Sequence, residues 1–380
     1  MISEAPAPAE VLAAIRAPFA AVQAVAIDPP VIQPLSLLLD LAGEAMRARL
    51  YIVQGEGDAE ACLRPDFTIP VTRAHIAAGE APCRYTYEGK AFRAAPGDSD
   101  RAREFLQVGL EVFGEGRDAA VDGEVAALAW RAAAAGGRSD LTLTLGDVDL
   151  FASFVEALGL AAPLTARLKR AFARPRALQL ELSRGQAPVR PPRQGDRIAS
   201  LLAGLPEVEA TAVLEDLWAV AGIAPVGGRS AAEIVHRLVQ RAEAAHAPRL
   251  SAAEADLVRD FLEISGRPSA ALAKVASLAK RGGVNLDSAL EGWARRLSIL
   301  MGAGVTEPQM TLSTGFGRAF GYYDGFLFEV HSASLNDWAS VAGGGRYDSL
   351  PARLGGQGKG GAVGCMVRPV RAWAGSEQGQ

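Results

Sequence analysis

Hydrophobic positions two apart dominate residues 84–114, RYTYEGKAFRAAPGDSDRAREFLQVGLEVFG. Leu106, Val108, Leu110 and Val112 alternate with Gln107, Gly109 and Glu111, and a period of two belongs to a strand whose successive side chains point to opposite faces. The segment is predicted as strand, loop and strand, with Arg93 closing the first strand. One face of the second strand then carries an amide, a gap and a carboxylate, a makeup suited to lining a pocket. Leu141, Leu143 and Leu145 repeat the alternation around Thr142 and Thr144 and predict a further strand. Helical spacing appears elsewhere: Leu35, Leu38, Leu39 and Ala42; an alanine-rich run over 118–135; and Phe151, Phe154, Val155 and Leu158, closed by Gly159. A helix is expected to begin near Val11 after a loosely held Ala/Pro-rich start, and Leu50 to Val53 reads as a strand. LRPDFTIPVTRAHIA, residues 63–77, reads as a loop entering a helix that Asp66 or Thr68 would cap.

The rhythm changes after residue 160. Ser230–Glu233 and Ser251–Glu254 have the form of capping boxes, each followed by an amphipathic run, and no strand is apparent. RGQAPVRPPRQGD, residues 184–196, reads as a loop. Strand character returns from Gln309 in MTLSTGF, GYYDGFLFEVHS and SVAGGGRYDSL. The expected architecture is therefore α+β, with a predominantly antiparallel sheet split between residues 1–160 and 305–380 and a helical insertion over 161–304.

Length and composition narrow the function classes. A chain of 380 residues with formal net charge -4 has ample length for a core and no broad basic field for nucleic acid. The three cysteines, Cys62, Cys83 and Cys365, are scattered without CxxC spacing, which argues against structural zinc and a disulfide framework and suits reduced thiols in the cytoplasm. The start of the chain carries Glu4 and Glu10 rather than a cationic leader, and no apolar run reaches membrane-spanning length. No membrane, metal or cofactor role is expected.

Several side chains carry chemistry. Arg64 and Asp66 flank Pro65 and read either as a salt-bridged turn or as a rigid mount for a carboxylate that receives an ammonium group, with Thr68 beside it. Arg93 is either a surface cation at a strand end or a planar fork for a carboxylate or phosphate, with Arg101 and Arg103 nearby. Gln107 and Glu111 make sense against ligand rather than core. Arg318, Tyr322, Tyr323, Glu329 and His331 crowd one stretch; strand alternation would send the two tyrosines to opposite faces, one to core and one to pocket. His331 reads as a structural histidine, since no second metal-spaced ligand accompanies it. The glycine runs around Arg346 and Lys359 lack Walker spacing and read as close backbone packing at a turn.

In this order the blocks resemble the catalytic domain of class II aminoacyl-tRNA synthetases, histidyl-tRNA synthetase in particular. Pro30 and the helix after it look like the dimer-forming first motif, RYTYEGKAFR with LQVGLEVFG like the second, and GAVGCMVR like the third, ending in Arg368. LRPDFT and GRAFGYYDGFLFE resemble the two histidine-specific segments. The resemblance implies that Asp66 and Thr68 meet a substrate ammonium, that Gln107, Glu111, Tyr322 and Tyr323 surround amino acid and imidazole with Tyr347 nearby, and that Arg93 and Arg318 face a carboxylate or α-phosphate. The chain also departs from the pattern. Ala95 and Gly321 stand where acids are usual, Asp66 replaces a longer glutamate and precedes bulky Phe67, and Pro369 follows Arg368. About a dozen residues after Arg368 leave no room for an anticodon-binding domain. The chain is thus similar to the synthetase-like family that serves as regulatory subunit of ATP phosphoribosyltransferase. That family implies a homodimer within a hetero-oligomer with a short-form catalytic subunit, feedback by histidine, and no catalysis or tRNA charging of its own. The alternative is a truncated histidyl-tRNA synthetase or an aminoacyl-adenylate ligase.

Overall fold

The computed structural model describes residues 4–42, 44–54, 60–95, 101–186, 201–202, 205–221, 230–237, 248–317, 321–336, 339–358 and 360–375. In chain order the strands are β1 (Val25–Ala26), β2 (Ile32–Pro34), β3 (Ile52–Gln54), β4 (Glu60–Leu63), β5 (Cys83–Phe92), β6 (Glu104–Phe113), β7 (Leu141–Asp147), β8 (Ser265–Gly266), β9 (Met310–Ser313), β10 (Phe326–Ser332), β11 (Ala342–Arg346) and β12 (Ala362–Val367). They form a nine-stranded sheet, β1-β5-β6-β12-β11-β10-β7-β9-β8, and a three-stranded sheet, β2-β4-β3. Pairing is antiparallel throughout except for β1 beside β5 and β7 beside β9. The α+β expectation holds, with β12 and β11 from the end of the chain inserted between β6 and β10; the sheet is not confined to 1–160 and 305–380, because the short strand β8 at Ser265–Gly266, where no strand was apparent, pairs with β9 at its edge.

Sequence explains the close layers. The helix Ala119–Ala134 packs on β10, β11 and β12. Ala126, Ala127, Ala129, Ala132 and Ala133 are all essentially buried, and methyl-sized side chains let the helix approach the sheet. Asp118 caps it, its carboxylate accepting from the Ala120 amide at 2.8 Å. The Ala342–Arg346 glycines form β11, in line with the strand character of SVAGGGRYDSL and not at a turn. Their close packing is between strands: a Cβ on Gly344 would sit 2.8 Å from the Cα of Cys365 on β12. A turn does follow at Gly355 and Gly358, whose positive φ angles of 89° and 63° suit glycine.

The chain divides into two compact units, residues 1–158 with 259–380 and residues 159–258. The second is helical, with helices Ala162–Phe172, Pro175–Gln186 and Glu207–Ala221, and it has a small core of Leu202, Ala210, Leu214 and Val235. Both expected capping boxes form there: Glu233 and Ser230 bond reciprocally at 3.1 and 3.2 Å, Glu254 and Ser251 at 2.7 and 3.2 Å. The insertion expected over 161–304 differs from this unit at its far end. Helix Pro268–Gly282 packs on β9, and helix Asp287–Gly302 packs on Ala119–Ala134, so both group with the large sheet. Amphipathic helices show one apolar stripe whichever partner they cover, so periodicity alone misassigned them. The loop expected at 184–196 is contradicted at its start, where Arg184 to Gln186 end the helix Pro175–Gln186, and lies outside the described residues from 187 onward. Among the described residues, no helix is long and apolar enough to cross a membrane.

Candidate ligand pocket

The alternation of β6 sends Gln107, Gly109 and Glu111 to one face, where β5 and β12 flank them. Gly109 is paired with Tyr87 on β5, and a side chain there would overlap the Tyr87 ring; Gly364 on β12 is paired with Glu111, and a side chain there would overlap its carboxylate. These two glycines make room for the Tyr87 ring and the Glu111 carboxylate to lie flat against the neighbouring strands. Asp66, Thr68, Tyr87, Arg93, Gln107 and Glu111 line the cleft from one side. Tyr322, Tyr323 and the β11–β12 backbone at Gly343 and Gly364 close it.

Glu111 is the most constrained group. It is 1% exposed, its carboxylate accepting from the Thr68 hydroxyl at 2.9 Å and from the Tyr347 hydroxyl. Burial lifts its carboxyl to about 8, the Tyr347 and Thr68 hydroxyls pull the other way, and the charge of Asp66 adds to the rise. Thr68 opens the helix Thr68–Ala77, whose N-cap is Phe67 with no side-chain cap. The expected capping by Asp66 or Thr68 is therefore absent, because both side chains turn to the cleft. Asp66 is buried and accepts from the Tyr322 hydroxyl at 3.0 Å. Burial, then the Asp66 charge, pushes the Tyr322 phenol well above its ordinary value.

Other expectations change. Arg64 does not bridge to Asp66. It lies 3.5 Å from Asp28, donates to the Lys90 carbonyl at 2.9 Å and covers the Phe67 ring at 4.0 Å. Tyr322 and Tyr323 do not face opposite ways: they precede β10 in a turn, their rings lie 4.7 Å apart, and both line the cleft. Tyr347 stands behind Glu111 as a donor. Arg93 lines the cleft while its Nε donates to the Pro65 carbonyl at 2.9 Å. His331 sits on β10, 3.3 Å from Glu329, in keeping with a structural role. Arg318 lies outside the described residues.

Tyr87, Gly343, Gly364, Cys365 and Met366 belong to the lining and were not singled out from sequence. The Tyr85-Thr86-Tyr87 alternation, paired through β5 against Gly109, was the available signal for Tyr87. Its ring stacks on Phe67 at 4.3 Å, and its hydroxyl donates to the Cys365 carbonyl at 3.3 Å. Burial pushes the Cys365 thiol up, so it is no thiolate nucleophile. Gln107 is 0% exposed, and neither its Oε1 nor its Nε2 has a hydrogen-bond partner among the described residues. A buried amide left this way costs about 1–3 kcal/mol, a cost that a polar molecule with both donor and acceptor groups would offset. Carboxylates, an amide, a guanidinium and stacked aromatic rings together suit a small zwitterion carrying a planar ring.

Residues 25–244 and 211–369 match the protein family described as histidyl-tRNA synthetase. A Brucella anthropi protein named ATP phosphoribosyltransferase regulatory subunit is 35% identical over 331 residues, 87% of either chain. A Brucella canis protein of the same name is 35% identical over 344 residues, 90% of either chain. The chain belongs to the ATP phosphoribosyltransferase regulatory subunit family. Solved structures share its fold at low identity. One from Bacillus halodurans, titled as an ATP phosphoribosyltransferase regulatory subunit/histidyl-tRNA synthetase, has TM-score 0.63 and 18% identity, covering 97% of this chain and 78% of that one. A histidyl-tRNA synthetase from Nostoc has TM-score 0.58 and 16% identity, covering 95% of this chain and 69% of that one. The chain therefore combines the sequence of this regulatory-subunit family with a class II synthetase-like sheet.

Proposed function

We propose that this chain is the regulatory subunit of a cytoplasmic ATP phosphoribosyltransferase, pairing as a homodimer with a separate short-form catalytic subunit for the first step of histidine biosynthesis. It performs no catalysis itself and charges no tRNA. Its cleft takes free histidine as the feedback ligand: Asp66 and Gln107 meet the ammonium, Arg93 the carboxylate, and Glu111, braced by Thr68 and Tyr347, the imidazole. The relatives' shared name supports the assembly, and the orphaned amide of Gln107 supports the ligand. End-product control through such a cleft requires histidine to bind two assembly states unequally.

The test mixes this chain with a short catalytic phosphoribosyltransferase subunit and follows turnover with and without histidine. Turnover should require both chains and fall with histidine. Calorimetric titration should show histidine binding that Gln107→Ala and Glu111→Ala weaken at least tenfold. Histidine-dependent pyrophosphate exchange into ATP by this chain alone would instead favour the synthetase-like reading.

A further inference from the structure

A second cavity lies on the other side of the sheet. The alternation of β6 that sends Gln107 and Glu111 to the cleft sends Leu110 to the opposite face. There a cavity of about 320 Å³ is lined by β6, by helices Ala119–Ala134 and Asp287–Gly302, and by Val22. That volume is at the small end of sites for organic molecules, which are on the order of 300–1,000 Å³. Its floor is apolar because of the spacing along one helix. Val121, Val125 and Leu128 fall at i, i+4 and i+7 and line the cavity with Leu110 and Ile299. Val125, Leu128 and Leu110 are 3%, 3% and 2% exposed, so the floor is deep. Two glycines mark how the contact between the helices opens. At Gly123 an added Cβ would come 3.1 Å from Ile299 Cβ, whereas at Gly302 it would meet nothing within 4 Å.

The mouth of the cavity carries charge that is unevenly matched. Arg84 is occupied: its Nε and Nη2 donate to Glu115 at 2.6 and 2.7 Å, and Glu124 lies 3.7 Å away. The end of helix Asp287–Gly302 closes on itself, the Ala303 amide donating to the Ile299 carbonyl at 3.0 Å and the Val305 amide to the Leu300 carbonyl at 3.1 Å. Arg131 differs. It lies about two turns beyond Glu124 on the same helix, exposed at the mouth. Among the described residues no ion pair or side-chain hydrogen bond engages it. A guanidinium at the edge of an apolar floor suits a molecule whose body leaves water while its anionic head pairs with the cation.

We propose that this cavity binds a small carboxylate with an aliphatic or aromatic body, the body resting on Leu110, Val125 and Leu128 and the carboxylate pairing with Arg131. The site shares β6 with the cleft but uses the opposite face of the strand. It therefore stands whether or not the cleft takes histidine.

The full-length chain is titrated with anilinonaphthalene sulfonate, an aromatic body with an anionic head, and binding is followed by fluorescence. Bound probe is then displaced with sodium octanoate or, as the uncharged counterpart, octanol. Both should displace it from the parent. Gly302→Leu, whose side chain grows into the open space, should weaken the probe at least tenfold. Arg131→Met should weaken octanoate at least tenfold and leave octanol unchanged. A folded Gly302→Leu protein that binds the probe as tightly as the parent overturns the site. An Arg131→Met protein that loses octanoate and octanol equally, or loses neither, overturns the carboxylate. Should Gly302→Leu fail to fold, methyl NMR of the parent decides: octanoate-induced shifts centred on Leu110, Leu128 and Ile299 support the site, and shifts elsewhere or none overturn it.

Discussion

Replacing Glu111 by Gln tests the electrostatics of the cleft through stability rather than activity. An exposed glutamate titrates near about 4.3, whereas burial lifts Glu111 to about 8. Between those values the native state keeps a proton that the unfolded chain has lost, so stability falls as pH rises through that window. Below it both states are protonated and nothing is lost. Above it both are ionised and the loss is complete. A gap of that size corresponds to about 5 kcal/mol, of which about 4 kcal/mol falls between pH ~5 and pH ~9. In Glu111→Gln the side-chain amide mimics the protonated acid toward Thr68 and Tyr347, so near pH ~5 the two proteins should agree within about 1 kcal/mol. Toward pH ~9 the variant should become the more stable by roughly 4 kcal/mol. Asp147, lifted by burial to about 6, titrates in both proteins and drops out of the difference. The assay is urea unfolding at a series of pH values, read by tryptophan fluorescence in a Trp218→Phe background, since Trp218 packs in the helical unit. Parallel pH profiles for parent and variant would refute the assignment of a raised Glu111.

Three further outcomes follow from packing and pairing. Gly364→Ala drives a methyl group into the Glu111 carboxylate; the overpacking should cost about 1–3 kcal/mol in urea unfolding and abolish histidine binding in the titration. Asp122 is 0% exposed and holds Arg296 and Arg346, each at 2.7 Å. Asp122→Ala leaves both guanidinium groups without it and should cost about 3–5 kcal/mol, read as a lowered denaturant midpoint. Ser251→Ala removes one half of a capping box and should cost about 1 kcal/mol, with faster amide exchange confined to the first turn of helix Ala252–Leu262.

Much of the fold was legible because the signals are local. The Leu106–Val112 alternation placed Gln107 and Glu111 on one face, and both reach the same cleft. Ser251 and Glu254 announced a helix start because a capping box joins residues three apart. Tyr322 and Tyr323 were misread because alternation was extended into what is a turn before β10. Arg64 sits two residues from Asp66 yet pairs with Asp28, a partner brought near only once residues 28–34 are laid beside β4.

By itself, the sequence determined the longer strands and helices, the α+β class and the polar face of β6, since period and capping act over a few residues and need no partner. Tertiary structure alone decided what those elements meet. The insertion of β12 beside β6 puts Gly364 against Glu111, and the return of the chain's first residues across β6 sets Glu4 against Arg368. Such pairings join residues hundreds of positions apart. They are chosen by which apolar faces bury together, and no pattern within a single segment carries that information.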